Sequence, residues 1–77
     1  MQVITLTTDW RNDDFYSGAL KGKILSLYGD ARIVDITHQV KPFNITEAAF
    51  ILRNTYHHFP AGSIHIIAVK SEPEKNK

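Results

Sequence analysis

Three short runs of apolar, largely β-branched residues, separated by two stretches of helical periodicity, limit what this chain can fold into. Val3-Ile4-Thr5-Leu6-Thr7 opens the chain, Arg32-Ile33-Val34-Asp35-Ile36-Thr37 lies mid-chain, and Ile64-His65-Ile66-Ile67-Ala68-Val69 comes near the end. Near-continuous runs of this kind suit strands covered on both faces, as in parallel sheets. Between the first two runs, Tyr16, Leu20, Ile24 and Leu27 recur at helical spacing and stop at Gly29, a good residue to follow a helix. Gly18 and Gly22 sit inside this helix, each costing about 1 kcal/mol of propensity against Ala. The expected offset is a helix backbone pressed close to the sheet or to a ligand. In the second helix, Asn44 and Glu47 have the spacing of an N-cap and its reciprocal partner. Ile45, Ala48, Ala49, Leu52 and Tyr56 form one apolar stripe, ended by Pro60-Ala61-Gly62.

The expected order is therefore β-α-β-α-β, an α/β parallel-sheet segment with right-handed crossovers. Such a sheet has two long unpaired edges and an apolar face left uncovered. At 77 residues the chain can bury only about 60% of its unfolded surface. It reads as the first part of a larger three-layer, Rossmann-like domain, over residues 1–70, with residues 71–77 as a charged loose tail.

Composition narrows the function classes. The absence of cysteine excludes disulfides, thiolate metal sites and a Cys nucleophile, and fits a reducing, cytoplasmic setting. Nine Lys+Arg against eight Asp+Glu, a net charge of +1, give no electrostatic case for nucleic acid or a membrane surface. No apolar run approaches the roughly 20 residues of a membrane span, and the first residues lack a signal-peptide pattern.

In open parallel sheets, ligands bind beyond the carboxyl ends of the strands. That rule selects Thr7-Thr8-Asp9, Thr37-His38 and Lys70-Ser71. The stretch Asp9-Trp10-Arg11-Asn12-Asp13-Asp14 holds three carboxylates ahead of the first helix, where Asp13 or Asp14 suits a plain capping role. Asp9 differs because it ends a buried strand, where a lone carboxylate needs donors. A carboxylate there can serve the fold, or it can accept both hydroxyls of a ribose. His57-His58 has no partner at metal-ligand spacing and suits a helix C-terminus. His65 reads as a satisfied face residue, and Asp35 as a loop anchor accepting backbone donors. No Gly-rich phosphate cradle and no Ser elbow is present. By spacing alone the chain is an α/β nucleotide-site candidate.

Five segments, taken in order, resemble the amino-terminal part of the S-adenosyl-L-methionine (SAM) hydroxide adenosyltransferase family, relatives of the fluorinating and chlorinating SAM enzymes. They are Ile4-Thr5-Leu6-Thr7-Thr8-Asp9, Gly18-Ala19-Leu20-Lys21-Gly22, Ile33-Val34-Asp35-Ile36-Thr37-His38, Asn44-Ile45-Thr46-Glu47-Ala48-Ala49-Phe50 and Phe59-Pro60-Ala61-Gly62-Ser63-Ile64-His65. The resemblance implies an α/β domain followed by a β-barrel domain absent from this chain, and a homotrimer with SAM sites between subunits. It implies SAM as substrate, with no cofactor or metal, and attack of hydroxide on ribose C5′ to give adenosine and L-methionine. Asp9 matches the family carboxylate that grips the ribose hydroxyls. Asp14 falls near the position meeting the methionine end, Phe43 falls where relatives carry an aromatic residue against the ligand, and Thr8 is a backbone or hydroxyl contact. A non-catalytic adenosine- or SAM-binding module is the alternative.

Two departures stand out. The family's usual Thr-Asp-Phe-Gly reads Thr8-Asp9-Trp10-Arg11 here, with Arg where Gly permits positive φ. Hydrolytic members follow the third strand with Asp-Pro-Gly-Val-Gly and an Arg, which with a later His hold the water. This chain reads Lys70-Ser71-Glu72-Pro73-Glu74-Lys75, so its catalytic, water-activating residues stay unassigned, with Glu72 a substitute carboxylate.

Overall fold

The computed structural model describes residues 2–11 and 14–69, and of Asp14 only the backbone. The tail and the Lys70-to-Lys75 segment, including Glu72, lie outside the described residues. The elements run β1 (Val3–Thr8), α1 (Asp14–Leu27), β2 (Arg32–Thr37), α2 (Ile45–Thr55), a 3-10 turn (Tyr56–His58) and β3 (Ile64–Ala68). The strands form one parallel sheet in the order β2-β1-β3. This is the β-α-β-α-β segment that the hydrophobic runs imply.

β1 is the central strand, and its residues from Ile4 to Thr8 are all buried. Ile4 aligns with Ile33 on one side and Ile64 on the other, and Leu6 aligns with Asp35 and Ile66. On one face, Ile4 and Leu6 pack with Ile24 of α1, joined by Leu20, Ala31, Ile33 and Ile66. The opposite face carries Thr5, Thr7, His65 and Ile67 and meets α2, whose Ala48 is fully buried. The two helices therefore take opposite faces, as right-handed crossovers require when one runs from β1 out to β2 and the next runs back past β1 to β3. Between Leu6 and Thr7 the β1–β2 register shifts, so that Thr7 aligns with Thr37 and Ile36 is skipped.

The sequence places β1, β2 and β3 within a residue of their observed ends. The helix stripes are less buried than their periodicity suggests. Tyr16 and Leu27 on α1, and Ile45 on α2, are half or more exposed, while Leu20, Ile24 and Ala48 carry the packing. Gly18 and Gly22 do not press against the sheet: a Cβ added at either would meet nothing within 4 Å. Their propensity cost is not offset by close packing within the described residues.

The start of α2 follows its sequence signal with one change. Asn44 Oδ1 accepts from the Glu47 backbone N–H at 2.8 Å, which satisfies one of the helix's orphan donors. The Glu47 carboxylate, expected to return to Asn44, instead accepts from the Lys41 N–H at 2.9 Å. Asn44 N–H is already committed to Lys41 O at 3.0 Å. His57 and His58 sit in the 3-10 turn after α2, not in the helix proper.

Candidate functional site

All three strands run the same way, so the carboxyl ends of β1, β2 and β3 lie together at one edge of the sheet. β1 connects to β2 on one side, and the chain then returns past it to β3 on the other. This reversal is the kind of crevice where open α/β sheets hold ligands. Asp9 follows β1 at the centre of that edge, half-buried, with its N–H directed at Ala68 O at 3.4 Å. Phe43 lies on the β2–α2 loop and Asp14 opens α1, so the topology brings these positions to the same edge. The side chain of Asp14 lies outside the described residues.

The loop after β1 is tied to the end of β2 by both backbone and side chains. Arg11 N–H donates to His38 O at 2.7 Å, and Val40 N–H donates to Thr8 O at 3.2 Å. Arg11 adopts a left-handed φ of 55°. The conformation that Gly would supply without strain is thus kept with an Arg in place. Besides its backbone bond, Arg11 Nη1 donates to Gln39 Oε1 at 3.1 Å. Phe43 is the other non-glycine residue at positive φ among those described, at 65°. For a bulky residue this is a strained conformation, of a kind that clusters at ligand sites.

Thr8 is fully buried, and its hydroxyl is engaged inside the protein. Oγ1 lies 2.6 Å from His38 Nδ1 and accepts from the Trp10 N–H at 3.1 Å. The other ring nitrogen of His38 lies 3.0 Å from Asp35 Oδ1. Asp35 Oδ2 accepts from Lys21 Nζ of α1 at 2.8 Å. Partial burial pushes the Asp35 carboxyl up, but hydrogen bonds and charge from Lys21 and His38 outweigh it and hold the group below its usual value. Asp35 therefore takes side-chain donors, not the backbone donors expected of a loop anchor. A second buried threonine, Thr5, bonds His65 Nδ1 at 2.7 Å, so His65 is a satisfied face residue as read. Among the described residues no buried side-chain nitrogen or oxygen lacks a partner.

Residues 4–77 match the family model described as the SAM hydroxide adenosyltransferase N-terminal domain. The chain belongs to the SAM hydroxide adenosyltransferase family. It is 41% identical over 73 residues to an (R)-S-adenosyl-L-methionine hydrolase of Methanocaldococcus jannaschii, covering 90% of this chain and 27% of that protein. A protein of the same name from Salinispora arenicola is 33% identical over 66 residues, covering 86% of this chain and 25% of its own length. The chain thus spans about a quarter of the length of the curated relatives it matches.

In this SAM hydroxide adenosyltransferase N-terminal segment, the expected positions of Asp9, Thr8 and Phe43 lie on the strand-end edge. Sequence reasoning picks out His38 as a strand-end residue and Asp35 as a loop anchor, but misses that they meet each other, Lys21 and the Thr8–Trp10 turn. A signal was present in the short spacing from Asp35 to His38, which ends the second strand opposite the buried Thr8. A hollow of about 450 Å³ on the α2 face, lined by Ala49, Leu52, Arg53, Tyr56, His65 and Ile67, is separate from that edge. No helix among the described residues is long and apolar enough to cross a membrane.

Proposed function

We propose that the protein carrying this chain hydrolyses SAM to adenosine and L-methionine, with this chain supplying the nucleoside half of the site. The observation that carries the reading is the placement of Asp9: one residue past the central strand, on a loop tied to both neighbouring strand ends, in a chain of this family. A carboxylate has two acceptor oxygens and no donor, which matches the two adjacent hydroxyls of a ribose.

The chemistry asks little of acid–base groups. When oxygen attacks ribose C5′, the C5′–S bond breaks and the electron pair returns to the sulfonium, which leaves as the neutral thioether of methionine. The nucleophile contributes the new C5′–O bond and loses a proton to solvent. The protein must align the three atoms and strip water from the nucleophile, tasks met by holding the ribose rigidly. In this reading Asp9 grips the diol, Asp14 meets the ammonium of the methionine end, and Phe43 covers the ligand. Thr8, with its hydroxyl engaged internally, acts through the loop. A second, β-barrel domain, a homotrimer that shares sites between subunits, and a cytoplasmic location complete the proposal.

The test is to incubate the full-length protein with SAM and follow adenosine and methionine by chromatography. Both should accumulate together, and Asp9→Ala should abolish them. Calorimetric binding of SAM without turnover would instead support a non-catalytic binding module. Absence of both binding and turnover would overturn the reading.

A further inference from the structure

We propose that His38, braced by Asp35, is a positioning residue for the nucleoside site: it fixes the Thr8 hydroxyl as acceptor for the Trp10 N–H and thereby sets the loop that carries Asp9. This rests on the nucleoside reading of Asp9 and assigns a role to Lys21, Asp35, His38 and Trp10, which lie outside the expected site.

The proton order follows from which groups can donate. Lys21 is donor-only, and it occupies Asp35 Oδ2. An ionised carboxylate accepts and cannot donate, so the His38–Asp35 contact requires the proton on Nε2. In the neutral ring Nδ1 is then bare and accepts. Thr8 O–H must donate to it across the 2.6 Å contact. With its hydrogen so directed, Thr8 Oγ1 presents a lone pair to the Trp10 N–H at 3.1 Å. With the ring neutral, each hydrogen that links Lys21, Asp35, His38, Thr8 and Trp10 has one destination.

This chain matters because Thr8 has no alternative. Its side chain has no exposure to solvent, so a lost partner is not replaced by water. His38 also acts through its own carbonyl, which accepts from Arg11 N–H. The peptides on either side of Trp10 are therefore both referenced to one residue of the β2 edge. Trp10 closes the arrangement by lying parallel to the imidazole, with the ring planes 4° apart. Asp9 sits between Thr8 and Trp10, with its own N–H directed to β3. Two carboxylate oxygens can meet two hydroxyls only if that peptide is held to a fraction of an ångström, since a displacement of about 1 Å can cost on the order of a hundredfold.

Asp35→Asn tests the proton order without removing bulk. Facing a donor-only ammonium, the Asn side chain keeps its oxygen toward Lys21 and turns its NH₂ to His38 Nε2. The ring must then carry its proton on Nδ1. In the full-length protein labelled with ¹⁵N-histidine, long-range proton–nitrogen spectra report each tautomer, and His38→Gln identifies the His38 signals. We expect the Nε2–H form in the parent protein and the Nδ1–H form in Asp35→Asn. Calorimetry with adenosine as probe should show about tenfold weaker binding for Asp35→Asn and for Thr8→Val, the scale of one buried hydrogen bond. Thr8→Ser, which keeps the hydroxyl, should recover most of the loss that Thr8→Val causes. An Nδ1–H tautomer in the parent protein, or adenosine binding undiminished in Asp35→Asn, overturns the proposal. If the tautomers are as stated but the parent binds neither adenosine nor SAM, the nucleoside reading of Asp9 is what fails, and the positioning role fails with it.

Discussion

The indole of Trp10 and the imidazole of His38 lie nearly parallel, with centroids 6.2 Å apart, one on the loop after β1 and the other at the end of β2. This offset stack joins two loops that are 28 residues apart in sequence and places aromatic surface beside the strand ends. Trp10 also meets the Tyr16 ring of α1, at 5.9 Å between centroids. Because it is the only tryptophan in the chain, its emission reports on this loop alone. His38→Ala should uncover one face of the indole and shift the emission maximum to the red, as read by intrinsic fluorescence of the folded protein. An unshifted spectrum would show that the stack does not persist in solution.

Arg11 offers a test of backbone strain. Its φ of 55° belongs to the left-handed region, where a non-glycine residue costs about 1 kcal/mol or more. Arg11→Gly relieves this while keeping the N–H to His38 O, and loses only the exposed bond to Gln39. Urea unfolding should show stability within about 1 kcal/mol of the parent, since Gly also frees the unfolded chain. Arg11→Val, β-branched at the same φ, should lose about 1–2 kcal/mol.

The N-cap of α2 was plain in the sequence, and its removal should have an ordinary effect. Asn44→Ala takes away the acceptor for the Glu47 N–H and should cost about 1 kcal/mol, seen as a lower urea midpoint with an unchanged slope. A loss of less than a few tenths of a kcal/mol would mean that water replaces the cap.

Thr5 tests the second threonine–histidine pair. Thr5→Val keeps the shape but removes the hydroxyl facing His65 Nδ1, on a residue with no solvent exposure. Leaving that ring nitrogen unpartnered on the sheet face should cost about 1–2 kcal/mol in urea unfolding, whereas Thr5→Ser should cost less.

Asp35 gives stability a dependence on pH. Its folded-state pKa lies below the usual 3.8 through its Lys21 and His38 partners, so the unfolded chain binds the proton more readily. The contribution is therefore complete above that usual value and is lost as pH falls through the folded value. The carboxylate is 40% exposed, so solvent screening keeps the effect small, within about 1 kcal/mol. The stability gap between the parent and Asp35→Asn should be present at about pH 6 and narrow towards about pH 3. A gap unchanged over that range would show that the ion pair does not form in solution.

Much of the fold was legible because its signals are local. Asn44 and Glu47 are three residues apart, and each apolar run is a single continuous word in the sequence. Asp9 was legible as a strand-end carboxylate for the same reason. The support beneath it was not, because it joins Thr8 to His38 across 30 residues and Lys21 to Asp35 across 14. Those meetings depend on register and on which helix covers which face, and no periodicity reports either. In the sequence Asp35 reads as a backbone acceptor, because a strand carboxylate seen alone has no visible partner. Gly18 and Gly22 misled in the opposite direction. A propensity penalty suggests a compensating contact, yet both look onto open space.

The skipped residue in β2 sets which side chains meet at the strand ends. Leu6 is level with Asp35, but Thr7 is level with Thr37, and continuing that alignment brings Thr8 beside His38. Ile36 is the residue left without a partner across the ladder, so a residue added between Thr37 and His38, not one lost at Ile36, would carry the imidazole past Thr8. The spare residue in β2 thus acts as slack in the ladder, and the meeting of Thr8 with His38 depends on the count of residues beyond it as much as on their identity.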